Sequence, residues 1–191
     1  NLKYILLAGE KTNPSDLVEW YNTFGERVQL LNCYGPTETT MSKAYYNITP
    51  RDINRERIPV GKPLLGSRII ILDENRKLCA PLVPGEICIR TPFGSCGYFN
   101  APGLNREKYI ANPFANDPGD LIYRSGDLGR ILADGNLDIL GRTDRQVKIR
   151  GYRVEPGDIE HHLIKHPEIK DALVLVLEDE HGRGWRADPP E

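Results

Sequence analysis

The stretch that fixes the fold class runs from Tyr4 to Leu31 and reads YILLAGEKTNPSDLVEWYNTFGERVQLL. Its apolar run Tyr4–Ala8 is closed by Gly9, which predicts a buried strand that leads into a turn. A second apolar run, Val28–Leu31, predicts another strand. A helix signal separates the two runs, so strand, helix and strand follow one another within about 30 residues. That order is a βαβ unit, in which the two strands pair in parallel.

The helix signal begins at Asn13-Pro14-Ser15-Asp16. Asn is a favoured N-cap, Pro is favoured at the first helical position, and an acidic residue is stabilising in the first turn. Gly25 predicts the end of the helix. The apolar residues between these two signals recur at helical spacing; they are Leu17, Trp20, Tyr21 and Phe24.

From about residue 63 to residue 140 the pattern changes to short β-rich runs separated by turn signals such as Val83-Pro84-Gly85 and Ala133-Asp134-Gly135. This pattern predicts a small antiparallel barrel or a curved sheet. The predicted strands are Ser67–Asp73, Glu86–Arg90, Leu121–Tyr123, Gly129–Leu132 and Leu137–Leu140.

A third region follows Arg142. A hairpin over 146–155, a helix that opens at Pro156 and a strand over Ala172–Leu177 predict the start of a small α+β domain. We therefore expect residues 1–143 to form one domain, with a βαβ portion over 1–60 and a β-barrel-like subdomain over 61–143. We expect residues 144–191 to form a hinge and an incomplete second domain.

The composition excludes several classes of protein. The chain has 191 residues and a formal net charge of −2, with 27% charged and 39% hydrophobic residues, which is typical of a globular protein. Nucleic-acid binding needs clustered positive charge, so we expect no nucleic-acid partner. No apolar run approaches the length of a membrane span. The four cysteines form no C-x-x-C pair, which predicts reduced structural thiols in a cytoplasmic protein.

The first candidate site is Asn32–Thr40, NCYGPTETT, just past the end of a predicted parallel strand, where ligands bind in α/β sheets. Gly35 and the following proline predict a tight turn. Tyr34 offers a flat face for stacking a base. Thr37 and Glu38 supply a hydroxyl and a carboxylate suited to a magnesium-bound phosphate. The alternative is a capped turn with an exposed acid.

The second candidate site is Tyr123–Leu128, YRSGDL. Asp127 follows a glycine at a strand end, where a carboxylate can accept two hydrogen bonds from the vicinal diol of a ribose. The alternative is a turn aspartate that satisfies its own backbone.

The third candidate segment is Gly141–Glu160, GRTDRQVKIRGYRVEPGDIE. Its first five residues separate two β-rich regions of different character and suit a linker or hinge. Four cations in this part of the chain either neutralise phosphate or form a solvated face; they are Arg142, Lys148, Arg150 and Arg153.

Together with Gly85–Tyr98, which begins GEICIR and ends GY, the segments Asn32–Glu38, Tyr123–Leu128 and Gly141–Glu160 resemble the motifs of adenylate-forming (AMP-binding) enzymes, in the same order. The chain is most similar to the amino-acid-activating adenylation domains of nonribosomal peptide synthetases, from Tyr4 to about residue 180. The resemblance implies the C-terminal part of the large domain, a β-barrel subdomain and the start of the small domain.

The resemblance also implies an activity: ATP activates an amino acid as an aminoacyl-adenylate, which then passes to the phosphopantetheine thiol of a peptidyl carrier domain. By the same resemblance, Tyr34 stacks on adenine with Asn32 beside the base and Gly35 in the same turn. Thr37 contacts phosphate and Glu38 holds Mg²⁺. Asp127 binds the ribose hydroxyls, with Arg142 close to the ribose and phosphate.

Further residues follow from the resemblance. Asp144 is implied as the hinge of the small domain, and Gly151 as part of the pantetheine tunnel in the thioester-forming state. Small or apolar residues are implied in the substrate pocket, with Leu6 as a further candidate, and they suggest a neutral substrate side chain; they are Ala8, Cys33, Met41 and Ser42.

Two expected parts of the family pattern do not occur in the 191 residues: the phosphate loop S/T-G-S/T-T-G-x-P-K and the lysine near the C-terminal end of the family. We therefore expect a fragment that does not catalyse adenylation by itself. Alternatives within the superfamily are an acyl-CoA, aryl-acid or D-alanine-activating ligase. An alternative of another class is a non-catalytic remnant that docks a carrier protein.

Overall fold

The computed structural model describes residues 2–149 and 152–176. The chain forms two compact units, residues 1–143 and residues 144–191. In the first unit the elements are β1 (Tyr4–Leu7), α1 (Pro14–Phe24), β2 (Gln29–Tyr34), β3 (Ala44–Asn47), β4 (Lys62–Pro63), β5 (Arg68–Leu72), β6 (Gly85–Arg90), α2 (Pro102–Lys108), β7 (Tyr109–Ala111), β8 (Leu121–Ile131) and β9 (Leu137–Arg142), with 3₁₀ turns at Thr37–Thr39 and Pro50–Asn54.

The first sheet has the strand order β1-β2-β3-β4. Strands β1 and β2 are parallel, with Tyr4 opposite Gln29, and β3 runs antiparallel to β2. Helix α1 begins directly after Asn13 and ends before Gly25, whose φ of 59° is one that glycine adopts readily. Leu17 of α1 packs with Leu30, Ile48 and Ile58 in a buried cluster. The predicted βαβ unit is confirmed.

The prediction that the first strand is buried is wrong. Tyr4 is 57% exposed and Leu6 is 64% exposed. Side chains alternate between the two faces of a strand. Ile5 and Leu7 of β1 pack against the cluster around Leu17 of α1, and Tyr4 and Leu6 lie on the opposite face, which the described residues leave open. An apolar run alone does not tell a central strand from an edge strand that has one open face.

The second sheet is antiparallel, as predicted, with the order β5-β6-β8-β7 and with β9 also paired to β8. The two runs predicted as separate strands, Leu121–Tyr123 and Gly129–Leu132, are parts of the single long strand β8. A core cluster lies against this sheet; its buried members are Tyr34, Val60, Ile71, Ile87, Ile89 and Leu137. Tyr34 comes from β2, so this cluster joins the two sheets.

In the second unit, β10 (Val147–Ile149) and β11 (Tyr152–Val154) form an antiparallel hairpin, followed by α3 (Pro156–Ile164). The hairpin and the helix are confirmed. The strand predicted over Ala172–Leu177 is wrong for its described part, because residues 172–176 form no strand. Side chains take the place of a strand partner: Val174 donates its N–H to Glu160 and accepts a hydrogen bond from Arg145.

Within residues 2–149 and 152–176, no helix is both long and apolar enough to cross a bilayer.

Candidate active site

The carboxylate of Asp127 forms two short hydrogen bonds at the junction of the two sheets. The Tyr34 hydroxyl donates to Oδ2 at 2.6 Å, and Nη1 of Arg142 donates to Oδ1 at 2.6 Å. Asp127 and Arg142 are opposite each other in the β8–β9 pair, which explains how residues 15 positions apart come into contact. Both side chains are mostly buried, at 13% and 17% exposed, so water screens this ion pair little.

The backbone before Asp127 is held by its neighbour Ser125. The Ser125 hydroxyl donates to the Ile87 carbonyl at 2.7 Å and accepts the Asp127 N–H at 3.0 Å. Gly126 between them has a φ of 74°, a left-handed conformation that glycine adopts without strain. The side chain of Asp127 bonds to Tyr34 and Arg142. The alternative, a turn aspartate that satisfies its own backbone, therefore does not describe this residue.

Tyr34 occupies the last position of β2 and is only 7% exposed. Burial, together with the nearby charge of Asp127, raises the pKa of the Tyr34 hydroxyl well above its ordinary value. The hydroxyl consequently stays protonated near neutral pH and remains a donor to the carboxylate. The stacking of Tyr34 on adenine stays a prediction.

Glu38 lies in the 3₁₀ turn Thr37–Thr39 and is only 7% exposed. The alternative of a turn with an exposed acid therefore does not describe this residue. The hydroxyl of Tyr98 donates to Oε1 of Glu38 at 2.6 Å. The turn closes through Thr40 and Met41, both at positive φ.

The segment 91–98 packs against this turn. The Ser95 N–H donates to the Glu38 carbonyl at 2.8 Å, and the Thr40 hydroxyl donates to the Phe93 carbonyl. The Tyr98 hydroxyl also lies 3.3 Å from the Tyr123 hydroxyl of β8. Because Tyr123 precedes Asp127 by four residues on the same strand, two tyrosines link the turn of Glu38 to the strand of Asp127.

Residues 1–99, more than half of the chain, match the family model described as "AMP-binding enzyme". The chain belongs to the AMP-binding enzyme family. Bacitracin synthase 1 of Bacillus licheniformis is 44% identical over 185 residues, which are 97% of this chain and 4% of that protein. Gramicidin S synthase 2 of Brevibacillus brevis is 46% identical over 186 residues, 95% of this chain and 4% of that protein.

Two solved structures are also similar to this chain in fold and sequence. One is described as holo-PA1221, "an NRPS protein containing adenylation and PCP domains bound to vinylsulfonamide inhibitor". Its TM-score is 0.85 at 30% identity, over 92% of this chain and 30% of that one. IdnL1 has a TM-score of 0.81 at 26% identity, over 93% of this chain and 36% of that one. This AMP-binding chain therefore spans a small fraction of its curated relatives and about a third of these structures.

The donor set of the AMP-binding chain fits the magnesium ion that the family implies. The residues described here contain no cluster of three or more His, Cys, Asp or Glu side chains arranged to hold a metal ion. Magnesium is usually bound through one or two carboxylates together with substrate phosphates and waters. The buried carboxylate of Glu38 is one such hard oxygen donor.

Two further residues predicted at the nucleotide have different exposures. Thr37 is exposed at the start of the 3₁₀ turn. Asn32 is 3% exposed, and its amide donates to the Pro59 carbonyl at 2.9 Å and accepts a hydrogen bond from Thr12 at 3.1 Å. These bonds hold β2 to the neighbouring segments. The roles of both residues at the nucleotide stay predictions.

The residues predicted for the substrate pocket lie in two places. Cys33 is buried, and burial raises the pKa of its thiol although the Ser42 side chain acts in the opposite direction. Ala8 and Leu6 are among the residues that line a cavity of about 410 Å³. Met41 is 75% exposed. The substrate pocket that combines these residues stays a prediction.

In the second unit, Asp144 is exposed and its carboxylate accepts the Gln146 N–H at 3.2 Å. Lys148 is exposed on β10, which agrees with a solvated face. Gly151 and Arg150 lie outside the described residues. The hinge at Asp144 and the pantetheine tunnel at Gly151 stay predictions.

Sequence reasoning missed the groups that surround Glu38. Tyr98 and Tyr123 lie inside two of the family-like motifs, Gly85–Tyr98 and Tyr123–Leu128, but neither motif indicates a contact with Glu38. A tyrosine in a turn carries no signal for a carboxylate 60 residues away in the sequence. Only the packing of segment 91–98 on the turn brings the two together.

Proposed function

We propose that this chain is part of an adenylation domain that activates an amino acid with ATP and transfers it to the phosphopantetheine thiol of a peptidyl carrier domain. One observation carries the proposal: the Asp127 carboxylate lies between the Tyr34 hydroxyl and the Arg142 guanidinium, and tyrosines link its strand to the buried carboxylate of Glu38. The similarity to a solved structure described as an NRPS protein with adenylation and PCP domains supports the same proposal.

The proposed residues supply positioning and charge. Asp127 accepts hydrogen bonds from the ribose hydroxyls, and Arg142 lies beside the ribose and the phosphates. Tyr34 stacks on the adenine, with Asn32 and Gly35 beside it, and Thr37 contacts a phosphate. Such groups suit substitution at phosphorus, which depends on orientation and charge neutralisation more than on covalent help from the protein.

In the first half-reaction, a carboxylate oxygen of the amino acid forms a bond to the α-phosphorus of ATP. The bond from that phosphorus to the oxygen bridging to the β-phosphate breaks, and pyrophosphate leaves. Bound by Glu38, Mg²⁺ would neutralise phosphate charge during this exchange. In the second half-reaction the carrier thiol loses its proton to solvent and its sulfur forms a bond to the activated carbonyl carbon; the bond from that carbon to the phosphate oxygen breaks, and AMP leaves. Asp144, as the hinge, and Gly151, as part of the pantetheine tunnel, would serve this second step. We expect the enzyme to be cytoplasmic.

The proposal is tested in the full-length protein by ATP–pyrophosphate exchange with a panel of amino acids. We expect Asp127→Asn to lower kcat/KM for ATP by roughly 10- to 100-fold, since hydrogen bonds to charged groups are worth about 1.5–3 kcal/mol. Asp120→Asn is the matched control, because Asp120 pairs with Arg90 at 2.6 Å in the same unit. We expect this control to stay within about twofold of the unmodified protein.

Two outcomes would contradict the proposal. If Asp127→Asn and Asp120→Asn changed kcat/KM for ATP equally, Asp127 would have no specific role at the nucleotide. Acyl transfer to free coenzyme A, with none to a carrier domain, would favour an acyl-CoA ligase over a peptide synthetase.

A further inference from the structure

We propose that Tyr98 is a positioning residue for Glu38: its hydroxyl fixes the carboxylate in the orientation that holds magnesium beside the ATP phosphates, and Asn105 in turn fixes Tyr98. This inference rests on the proposed function. It adds two residues to the site, neither of which contacts the nucleotide in the scheme above.

The first step is the contact between Tyr98 and Glu38. The hydroxyl donates to Oε1 at 2.6 Å, a short, charge-assisted bond. Because Glu38 is 7% exposed, such a bond is stronger here than in water. The donor therefore selects one rotation of the carboxylate.

The second step is the backbone of Tyr98, which one side chain clamps from both sides. Oδ1 of Asn105 accepts the Tyr98 N–H at 2.6 Å, and Nδ2 donates to the Tyr98 carbonyl at 2.9 Å. Gly97 lets the amide approach this closely: its φ is 106°, and a Cβ there would lie 2.6 Å from Oδ1 of Asn105. Asn105 belongs to α2, so a helix anchors the tyrosine.

The third step is the ring of Tyr98, which lies among other aromatic rings. Its centroid is 6.3 Å from that of Tyr109 in an edge-on arrangement, and Tyr109 packs against Tyr123 at 5.2 Å. The Ser95 N–H holds the carbonyl of Glu38 at the same time. The segment 95–98 thus holds both the main chain and the side chain of Glu38.

The test measures how strongly Mg²⁺ tightens the binding of a non-hydrolysable ATP analogue to the full-length protein, by calorimetry with and without the metal. Partners that orient a metal ligand typically contribute 10- to 100-fold in metal affinity. We expect Tyr98→Phe to lower the tightening by Mg²⁺ about tenfold and to leave metal-free analogue binding unchanged. Asn105→Ala provides a second variant, with an expected loss in the same direction.

The matched control is Tyr109→Phe. It also removes one hydroxyl from the aromatic cluster, but that hydroxyl bonds to Ser95 at 2.6 Å and not to Glu38. We expect this control to keep the full tightening by Mg²⁺. In a Glu38→Gln background, we expect Tyr98→Phe to have no additional effect, because it acts through the carboxylate.

The positioning role is overturned if Tyr98→Phe and Asn105→Ala both behave like Tyr109→Phe. It is also overturned if Tyr98→Phe has the same effect in the Glu38→Gln background as in the unmodified protein. A different result, in which the unmodified protein binds no analogue or gains no affinity from Mg²⁺, contradicts the proposed function itself.

Discussion

Asp52 is a buried carboxylate that serves the stability of a turn, in contrast to the ligand binding that we propose for Asp127. It is 1% exposed and accepts hydrogen bonds from the Thr49 N–H and hydroxyl, from the Tyr46 hydroxyl and from Arg55. All these partners lie within six residues of Asp52 in the sequence. The hydrogen bonds therefore stabilise a local structure, the 3₁₀ turn Pro50–Asn54. The partners of Asp127 come from distant segments, which places that carboxylate at the junction of the two sheets.

The pKa of Asp52 gives a pH-dependent prediction at this scale. Burial alone raises this pKa, but the hydrogen bonds from Thr49, Tyr46 and Arg55 lower it below its ordinary value. A lowered pKa in the folded state means that the stabilisation is complete above the unfolded pKa of about 3.9 and is lost as the pH falls through the folded value. We expect Asp52→Asn to destabilise this turn by about 1–3 kcal/mol at neutral pH and to remove this acid-dependent loss.

The measurement is hydrogen exchange of the peptide around residues 49–55 in the full-length protein at several pH values, corrected for intrinsic rates. Asp73→Asn is the control, because Asp73 caps an exposed turn through the Asn75 and Lys77 N–H groups. An acid-dependent opening that survives in Asp52→Asn would show that another group is responsible.

At the scale of elements, the turn that carries Glu38 depends on a close backbone approach. A Cβ added to Gly35 would lie 2.0 Å from the Met41 carbonyl oxygen and 2.7 Å from the Lys43 nitrogen. Both are backbone atoms, which a side-chain rotation cannot move. The start and the end of the turn are therefore in contact only because residue 35 has no side chain.

This contact predicts the effect of Gly35→Ala. We expect the turn to open, Glu38 to shift, and pyrophosphate exchange by the full-length protein to fall at least about 100-fold, since misplacement of a site by about 1 Å can cost that much. Gly103→Ala in α2 is the matched control, because a Cβ there meets nothing within 4 Å. A Gly35→Ala protein as active as the Gly103→Ala protein would contradict the importance of this contact.

Strand β8 shows why the boundaries of elements are harder to predict than their existence. Residues 124–128 are charged and small residues with a glycine at 126, and this composition predicts a break in the strand. The structure gives Gly126 a φ of 74°, which is not a strand conformation. In the structure the β8 ladder passes through a register shift between Glu86 and Cys88 of β6. Pairing with β6 and β9 keeps these residues in the strand although their local β pattern is poor. A sequence pattern cannot predict this, because it does not show which strands will pair with the segment.

At the scale of the whole molecule, the chain divides into residues 1–143 and 144–191. The predicted nucleotide residues all belong to the first unit, and the predicted hinge and tunnel residues belong to the second. The 191 residues contain neither the phosphate loop nor the C-terminal lysine that the family pattern includes. Two of the groups expected to contact phosphate and substrate carboxylate are therefore not supplied by this sequence.

The prediction at this scale concerns the 191 residues by themselves. We expect no amino-acid-dependent ATP–pyrophosphate exchange above background, because positioning and charge neutralisation by several groups act as one unit. The full-length protein under the same conditions is the control and should be active. A robust exchange rate from the 191 residues alone would show that the two missing groups are dispensable.

The sequence by itself determined the βαβ unit, the antiparallel β-rich region, the hairpin and the family, because these depend on local periodicity, caps and linear motifs. It also predicted Asp127 and Arg142 as nucleotide-site residues, because both lie within recognisable motifs, and that role stays a prediction. Only the tertiary structure decided that Tyr34 donates to Asp127, that Tyr98 donates to Glu38 and that Asn105 holds Tyr98. The contacts of Tyr34 with Asp127 and of Tyr98 with Glu38 join residues 93 and 60 positions apart, so they depend on how distant segments pack. Asn105 lies only 7 positions from Tyr98, but it belongs to no motif that would have indicated the contact.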